Sequence, residues 1–190
     1  MRTLDPSRRE QILETAARLF DRRRYHEVRM EDLAVAAGVA KGTLYRYFDD
    51  KEALYVALLV SALDRFYREM VTAMEAVDCP ERKVRVFLNS SVTFFDEHPY
   101  FFDLLQRVES SVNVDRIREL EELRESFFRL VTEIIRELIA TGRYTAPDPL
   151  AAAMILTGIN RQMHRFYPKP WPEGLADGIA DFFLRGMTKT

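Results

Sequence analysis

The sequence predicts an all-α fold of about nine helices: a three-helix head at the N-terminus, a long fourth helix, and a larger helical body. Three observations carry this. Apolar residues recur at three- and four-residue spacing along the chain, and Pro, Gly, Asp and Ser punctuate the segments. Residues 31–48, EDLAVAAGVAKGTLYRYF, read as two short helices with a tight turn between them. The hydrophobic share of 47% over 190 residues is enough to bury a sizeable core. The domain division is 1–49 for the head and 50–190 for the body.

The first helix starts at Asp5-Pro6-Ser7. Asp5 or Ser7 can cap it, Pro6 suits the first turn, and Ser7 with Glu10 can form a capping box. It runs to about Arg22, with Ile12, Leu13, Ala16, Leu19 and Phe20 as the buried stripe. Arg22, Arg23 and Arg24 close it, either complementing the helix dipole in solvent or reaching phosphates; Arg8 and Arg9 pose the same choice. In the 31–48 stretch Gly38 can take φ > 0 at the turn, and the small Ala34 lets the two helices approach. The second of these helices covers 41–48. Leu44 and Phe48 share its inner face; Gly42, Thr43 and Arg46 point outward, Tyr45 and Tyr47 flank them, and Lys41 sits at the tip.

Asp49 caps the fourth helix with Glu52 at its third position, and no Gly or Pro interrupts it before about Val77. Leu54, Leu58, Ala62 and Phe66 step down one face. Cys79-Pro80 breaks the pattern, and a fifth helix covers 81–97 with Val84, Phe87, Leu88, Val92 and Phe95 buried. Pro99 begins a sixth. Asp115 is a cap for a seventh over 116–141, which Gly142 ends. Asp148-Pro149 starts the eighth, 150–166. The stiff YPKPWP connector leads to the ninth, 173–187, with Leu175, Ile179, Phe182, Phe183 and Met187 on one face.

The net charge is −2, but residues 1–48 hold ten Lys/Arg against seven Asp/Glu, a balance of +3. The remainder is at −5. Positive charge is concentrated where a localised phosphate contact would need it. Cys79 is the only cysteine, so no intrachain disulfide forms, which fits a reducing cytoplasm. The N-terminus lacks the apolar core of a signal peptide, and no run of about 18 apolar residues could span a membrane. His26, His98 and His164 lie on no metal-binding spacing, and no motif places a catalytic constellation. Neither an enzyme, nor a metal, nor a cofactor is expected.

The run GVAKGTLYRYFDDKEAL (38–54), preceded by EDLA, closely resembles the DNA-binding signature of the TetR/AcrR (tetracycline-repressor) family of bacterial regulators. The likeness is dense over 12–58; beyond that it is one of length and helical layout. It implies a helix-turn-helix whose exposed helix enters a major groove. Lys41, Thr43 and Arg46 would approach base edges, with Arg46 suited to a bidentate guanine contact. Tyr45, Tyr47 and Lys51 would hold phosphates beside Gly42. Two positions depart from the family. Arg24 stands where a glycine is usual. Arg29 stands where a Ser or Thr would cap the next helix; it cannot accept that bond, but could reach a phosphate.

The resemblance also implies a C-terminal inducer site. The body's aromatic residues fit either a core or an apolar cavity between helices. Phe94, His98, Phe101, Phe102, Leu105, Phe127, Asn160 and His164 are the candidate lining. The helices 150–166 and 173–187 have apolar faces that either pack within the monomer or pair with a second copy into a four-helix bundle. The resulting expectation is a cytoplasmic homodimer. It would be a ligand-responsive repressor of a palindromic operator in double-stranded DNA, released by a small apolar or aromatic effector. A small-molecule binding protein or a helical adaptor with a vestigial head is the alternative.

Overall fold

The computed structural model describes residues 4–98, 101 and 114–189. Among these it contains eight α-helices, one 3-10 turn and no strand, the lone bridge Tyr144–Thr188 aside. The chain divides into two compact units, 1–63 with 98–120, and 64–97 with 121–190.

In the first unit, α1 spans Pro6–Phe20. Asp5 is its cap: the carboxylate accepts from the Ser7 N–H at 2.9 Å. Ile12, Leu13, Ala16 and Phe20 are buried as the helical stripe requires. The helix ends two residues before the expected Arg22, and the Arg22 and Arg23 N–H groups turn back to the Leu19 carbonyl. A 3-10 turn, Tyr25–Glu27, leads to α2, Met30–Ala36. The Glu27 carboxylate accepts from the Arg24 N–H at 2.9 Å. That bond closes the turn where the family's glycine is missing.

At the end of α2, Gly38 has φ 64°. Its N–H donates to Val35 O (3.1 Å), and the Val39 N–H to Ala34 O (3.0 Å). This pair of bonds is a Schellman closure, which demands a left-handed residue. Next comes α3, Lys41–Tyr47. Phe48 leaves the helix in an extended conformation, yet it is buried with Leu44 as expected. The following helix, α4, is Lys51–Glu75. Its cap is Asp50, whose carboxylate accepts from the Ala53 N–H at 2.7 Å, and not the expected Asp49. Capping binds the third helical residue, and with Lys51 as the first that geometry selects Asp50. Leu54, Tyr55, Leu58 and Leu59 are buried in this unit.

The second unit takes Phe66, Met70 and Met74 from the end of α4, and then α5 (Pro80–Glu97), with Val84, Phe87 and Leu88 at 0% exposure. Next, α6 spans Val114–Ala140 and contributes Val131, Ile134, Ile135 and Leu138 to this core. It starts ahead of Asp115, which is therefore inside the helix. The seventh helix, α7 (Pro149–Phe166), is capped by Asp148, which accepts from the Leu150 and Ala151 N–H groups. The last, α8, runs Leu175–Met187. It packs chiefly on α5. Arg85 ties the two, bonding Asp177 at 3.3 Å and Asp181 at 2.5 Å. The face expected for α8 is split. Phe183 and Met187 are buried, but Phe182 is 76% exposed. Neighbours in sequence are about 100° apart on a helix, so only one of the two phenylalanines can face α5. The expected helix from Pro99 lies outside the described residues, apart from Phe101.

Candidate nucleic-acid interface

The Schellman turn sets how α3 leaves α2, and the fully buried Leu44 and the nearly buried Phe48 press α3 down on one side. The opposite side is then forced outward by helical geometry. Lys41, Gly42, Tyr45 and Arg46 are exposed, and Thr43 and Tyr47 are half-buried at the flanks. Arg46 has no ion-pair partner among the described residues. A Cβ built on Gly42 meets nothing within 4 Å, and its φ is not left-handed. Nothing inside the chain therefore requires glycine there.

Around this face the charges are tied in part. Lys41 Nζ pairs with Glu31 at 2.5 Å and stands 5.9 Å from the Tyr45 ring. The bond from Lys41 holds the Glu31 carboxyl below its ordinary range, and the same bond raises Lys41. Arg29 occupies the cap position of α2 with no acceptor to offer, as its chemistry requires. Asp32 offsets the loss by accepting from the Arg29 N–H at 3.0 Å, which is the chief cause of its own lowered pKa. The same carboxylate pairs with Arg23 at 3.3 Å. Arg22, Arg24 and the Arg29 side chain are exposed.

Lys51, expected at a phosphate, is turned inward. Its ammonium donates to Tyr25 O (2.8 Å) and Val28 O (2.9 Å) and sits 3.9 Å from the centre of the Tyr25 ring. Tyr25 in turn stacks edge-on against Tyr55 at 4.5 Å. The lysine thus staples the loop between α1 and α2. No sequence signal marked it, because its partners lie 23 and 26 residues away. Nothing near Glu31 in sequence singles it out either; its partner, Lys41, comes from across the turn.

The candidate effector residues divide between the units. Phe94 (half-stacked on Phe66 at 4.4 Å), Phe127 (5.6 Å from Phe87) and the buried Asn160 belong to the second. His98 and the buried Phe101 belong to the first. Phe102, Leu105 and the His164 side chain lie outside the described residues. The second unit also carries an open apolar groove of about 430 Å³ between α7 and α8, lined by Ile159, Leu175, Gly178, Ile179 and Phe182 among others. Exposed apolar side chains adjoin it in sequence: Met154 and Ile155, both 57%, and Phe166, 69%. Among the described residues no cluster of three His, Cys, Asp or Glu could hold a metal. No described helix is long and apolar enough to cross a membrane.

Residues 12–58 match the family of bacterial regulatory proteins known as tetR. Residues 78–187, more than half of the chain, match the tetracyclin repressor-like C-terminal domain. The HTH-type transcriptional regulator EthR of Mycolicibacterium smegmatis is 27% identical over 164 residues, covering 81% of this chain and 70% of that protein. An uncharacterized HTH-type transcriptional regulator of Mycobacterium tuberculosis is 33% identical over 90 residues, and the match spans about half of each, 47% and 45%. The crystal structure of the TetR family regulator PfmR from Thermus thermophilus superposes with a TM-score of 0.75 at 28% identity, covering 94% of this chain and 99% of that one. FadR from Bacillus subtilis, solved in complex with stearoyl-CoA, has the same fold, with a TM-score of 0.79 at 18% identity over 94% and 98% of the chains.

Proposed function

The chain belongs to the tetR family of bacterial regulatory proteins, and from that premise we propose that it is a ligand-responsive repressor that reads a palindromic operator through α3. One observation carries the proposal. The helix is clamped by Leu44 and Phe48 at 0% and 4% exposure, and that clamp turns Lys41, Tyr45 and Arg46 out to solvent. A helix that spends its apolar side on the fold and its basic, hydroxylic side on water is shaped for a major groove. Arg46 is the base reader, and Lys41 and Thr43 approach base edges. Tyr45, Tyr47 and Arg29 hold phosphates. Gly42 leaves room for the backbone to come close to the duplex. On this reading 1–49 is the DNA-binding head and 50–190 the ligand-binding and dimerisation body.

The partner for the exposed faces of α7 and α8 is a second copy of the chain. Phe182 at 76% and Phe166 at 69% exposure, with an apolar groove between the helices, support it. So does the geometry of the target, since two recognition helices must meet major grooves about 34–36 Å apart. The effector is a small apolar or aromatic molecule bound among the body's aromatic residues. It releases DNA only insofar as it binds the released arrangement more tightly than the bound one. The reading puts the protein in the cytoplasm, with its DNA.

The test is a fluorescence-anisotropy titration of a duplex that the protein selects from a random pool, at about 0.05 M and 0.2 M salt. With six to ten phosphates contacted, affinity should fall by about 10³ to 10⁵. No selected duplex, or binding that ignores salt, would refute the proposal. Adding small apolar and aromatic candidates to the complex, with an acyl-coenzyme A thioester as the amphiphilic, polyanionic comparison, then tests release.

A further inference from the structure

We propose that Glu31 is a specificity-determining residue of this DNA-binding surface: it holds the Lys41 ammonium at one point of the α3 face and cancels its charge toward phosphates elsewhere. The inference rests on the reading of α3 as a recognition helix.

Lys41 lies at the start of α3 and Glu31 near the start of α2, ten residues apart in sequence and joined across the turn by a 2.5 Å ion pair. Both side chains are more than half exposed, at 58% and 54%. An exposed pair of this kind contributes little to stability, because water and salt screen it. The fold is closed without it, by the Schellman bonds at Gly38 and by the buried Leu33, Ala34 and Leu44. The effect of the pair therefore falls on what Lys41 can do next. A free lysine is a mobile point charge on a four-carbon stem, and any phosphate satisfies it. Here the ammonium itself is held from α2 by Glu31 and flanked from α3 by Tyr45. It keeps donors to spare but offers them at one place, the N-terminal end of α3 beside Tyr45.

Charge arithmetic points the same way. Sequence-independent attraction grows with the number of phosphates neutralised. A lysine already paired with a carboxylate adds little to that count. Both groups are exposed and ionised at neutral pH by their ordinary chemistry, and the shared bond holds the Glu31 carboxyl below, and Lys41 above, its ordinary range. Arg46 has no such partner among the described residues. Of the two basic side chains on α3, one is left to attract DNA and the other is restrained so that it reports position.

The experiment starts from the duplex that the wild-type chain selects out of a random pool, with a scrambled duplex of equal length as the comparison. Affinities of Glu31→Gln for both are measured at about 0.05 M and 0.2 M salt. Freed from its partner, Lys41 should gain a phosphate on the scrambled duplex. Binding there tightens on the order of tenfold at the lower salt, and the slope of log affinity against log salt steepens by about 0.9. The selected duplex gains less, so the ratio between the two falls by about threefold or more. In a Lys41→Gln background Glu31→Gln should leave the ratio alone, and Glu31→Asp, which keeps the charge, should largely preserve it. Far-UV circular dichroism confirms folding, and Lys41→Gln alone must weaken the selected duplex more than the scrambled one. An unchanged ratio and slope in Glu31→Gln, or the same shift in the Lys41→Gln background, overturns the inference while leaving the DNA-binding reading intact. A wild-type chain that selects no duplex overturns both.

Discussion

Two surfaces of this molecule are exposed for opposite chemical reasons. On α3 the exposed side chains are Lys41, Tyr45 and Arg46, which water solvates well. On α7 and α8 they include Met154, Ile155, Phe166 and Phe182, which water solvates poorly. All three helices beneath are held by buried apolar residues of their own, Leu44 on α3, Ala153 and Leu156 on α7, and Ala180 and Phe183 on α8. The difference lies in what the outer side lacks. The α3 face lacks counter-charge at Arg46. The α7 and α8 faces lack only removal from water. The first fits a polyanion whose grip weakens with salt, and the second fits an apolar partner whose grip does not.

The comparison is broken most forcefully at Phe182. Burying one phenylalanine is worth about 1.5–3 kcal/mol, and in a symmetric pair it is buried twice. Phe182→Glu should therefore raise the dimer dissociation constant by about 100-fold or more while the helix content stays unchanged. Analytical ultracentrifugation with circular dichroism checks this; a variant that associates like the wild type would show that the face has no partner copy. On the other surface, Arg46→Ala should cost about 1–3 kcal/mol on the selected duplex and relax base choice at one position. Repeating the selection with the variant reads this out, and an unchanged consensus would remove Arg46 as the reader.

Lys51→Met sharpens the contrast between the basic residues exposed on α3 and one that faces the fold. It leaves two carbonyls without their donor, so stability should fall by about 1–3 kcal/mol in a denaturant titration. The salt slope of DNA binding should stay the same, because that ammonium is spent on Tyr25 and Val28. The smallest expected effect tests the apolar face by sign. A Cβ on Gly178 meets nothing within 4 Å in the chain, and alanine is a better helix former by about 1 kcal/mol. Gly178→Ala should stabilise an isolated monomer yet weaken association, because the groove it lines would be filled. Strengthening both would mean the glycine does not sit against a second copy.

Much of the head was legible because its determinants are local. Asp5, Pro6 and Gly38 act within four or five residues of themselves, and the structure uses each as read. Leu44 and Phe48 are both buried as their spacing requires, although Phe48 lies just past the end of α3. The same logic misjudged Asp49 against Asp50, since two adjacent carboxylates both satisfy a capping pattern and the helix start decides between them. Phe182 and Phe183 pose the same problem on α8: both are apolar, and only the placement of α5 chooses which is covered. Of the candidate site residues, the exposed ones on α3 were readable from helical phase. Lys51 was not, because nothing near it in sequence announces the carbonyls that it staples.

By itself the sequence determined the described helices, the turn at Gly38, the family and the side of α3 that faces outward. These follow from caps, from backbone freedom and from a 3.6-residue period, all of which act over a few residues. Tertiary structure alone decided which charges are spent and which are left to act. It turned Lys51 inward, tied Lys41 to Glu31, left Arg46 open and put Phe182 in water. The physical reason is range. A hydrogen bond or an ion pair needs its partner within about 3 Å, and no pattern along the chain records which distant residue the fold will bring that close.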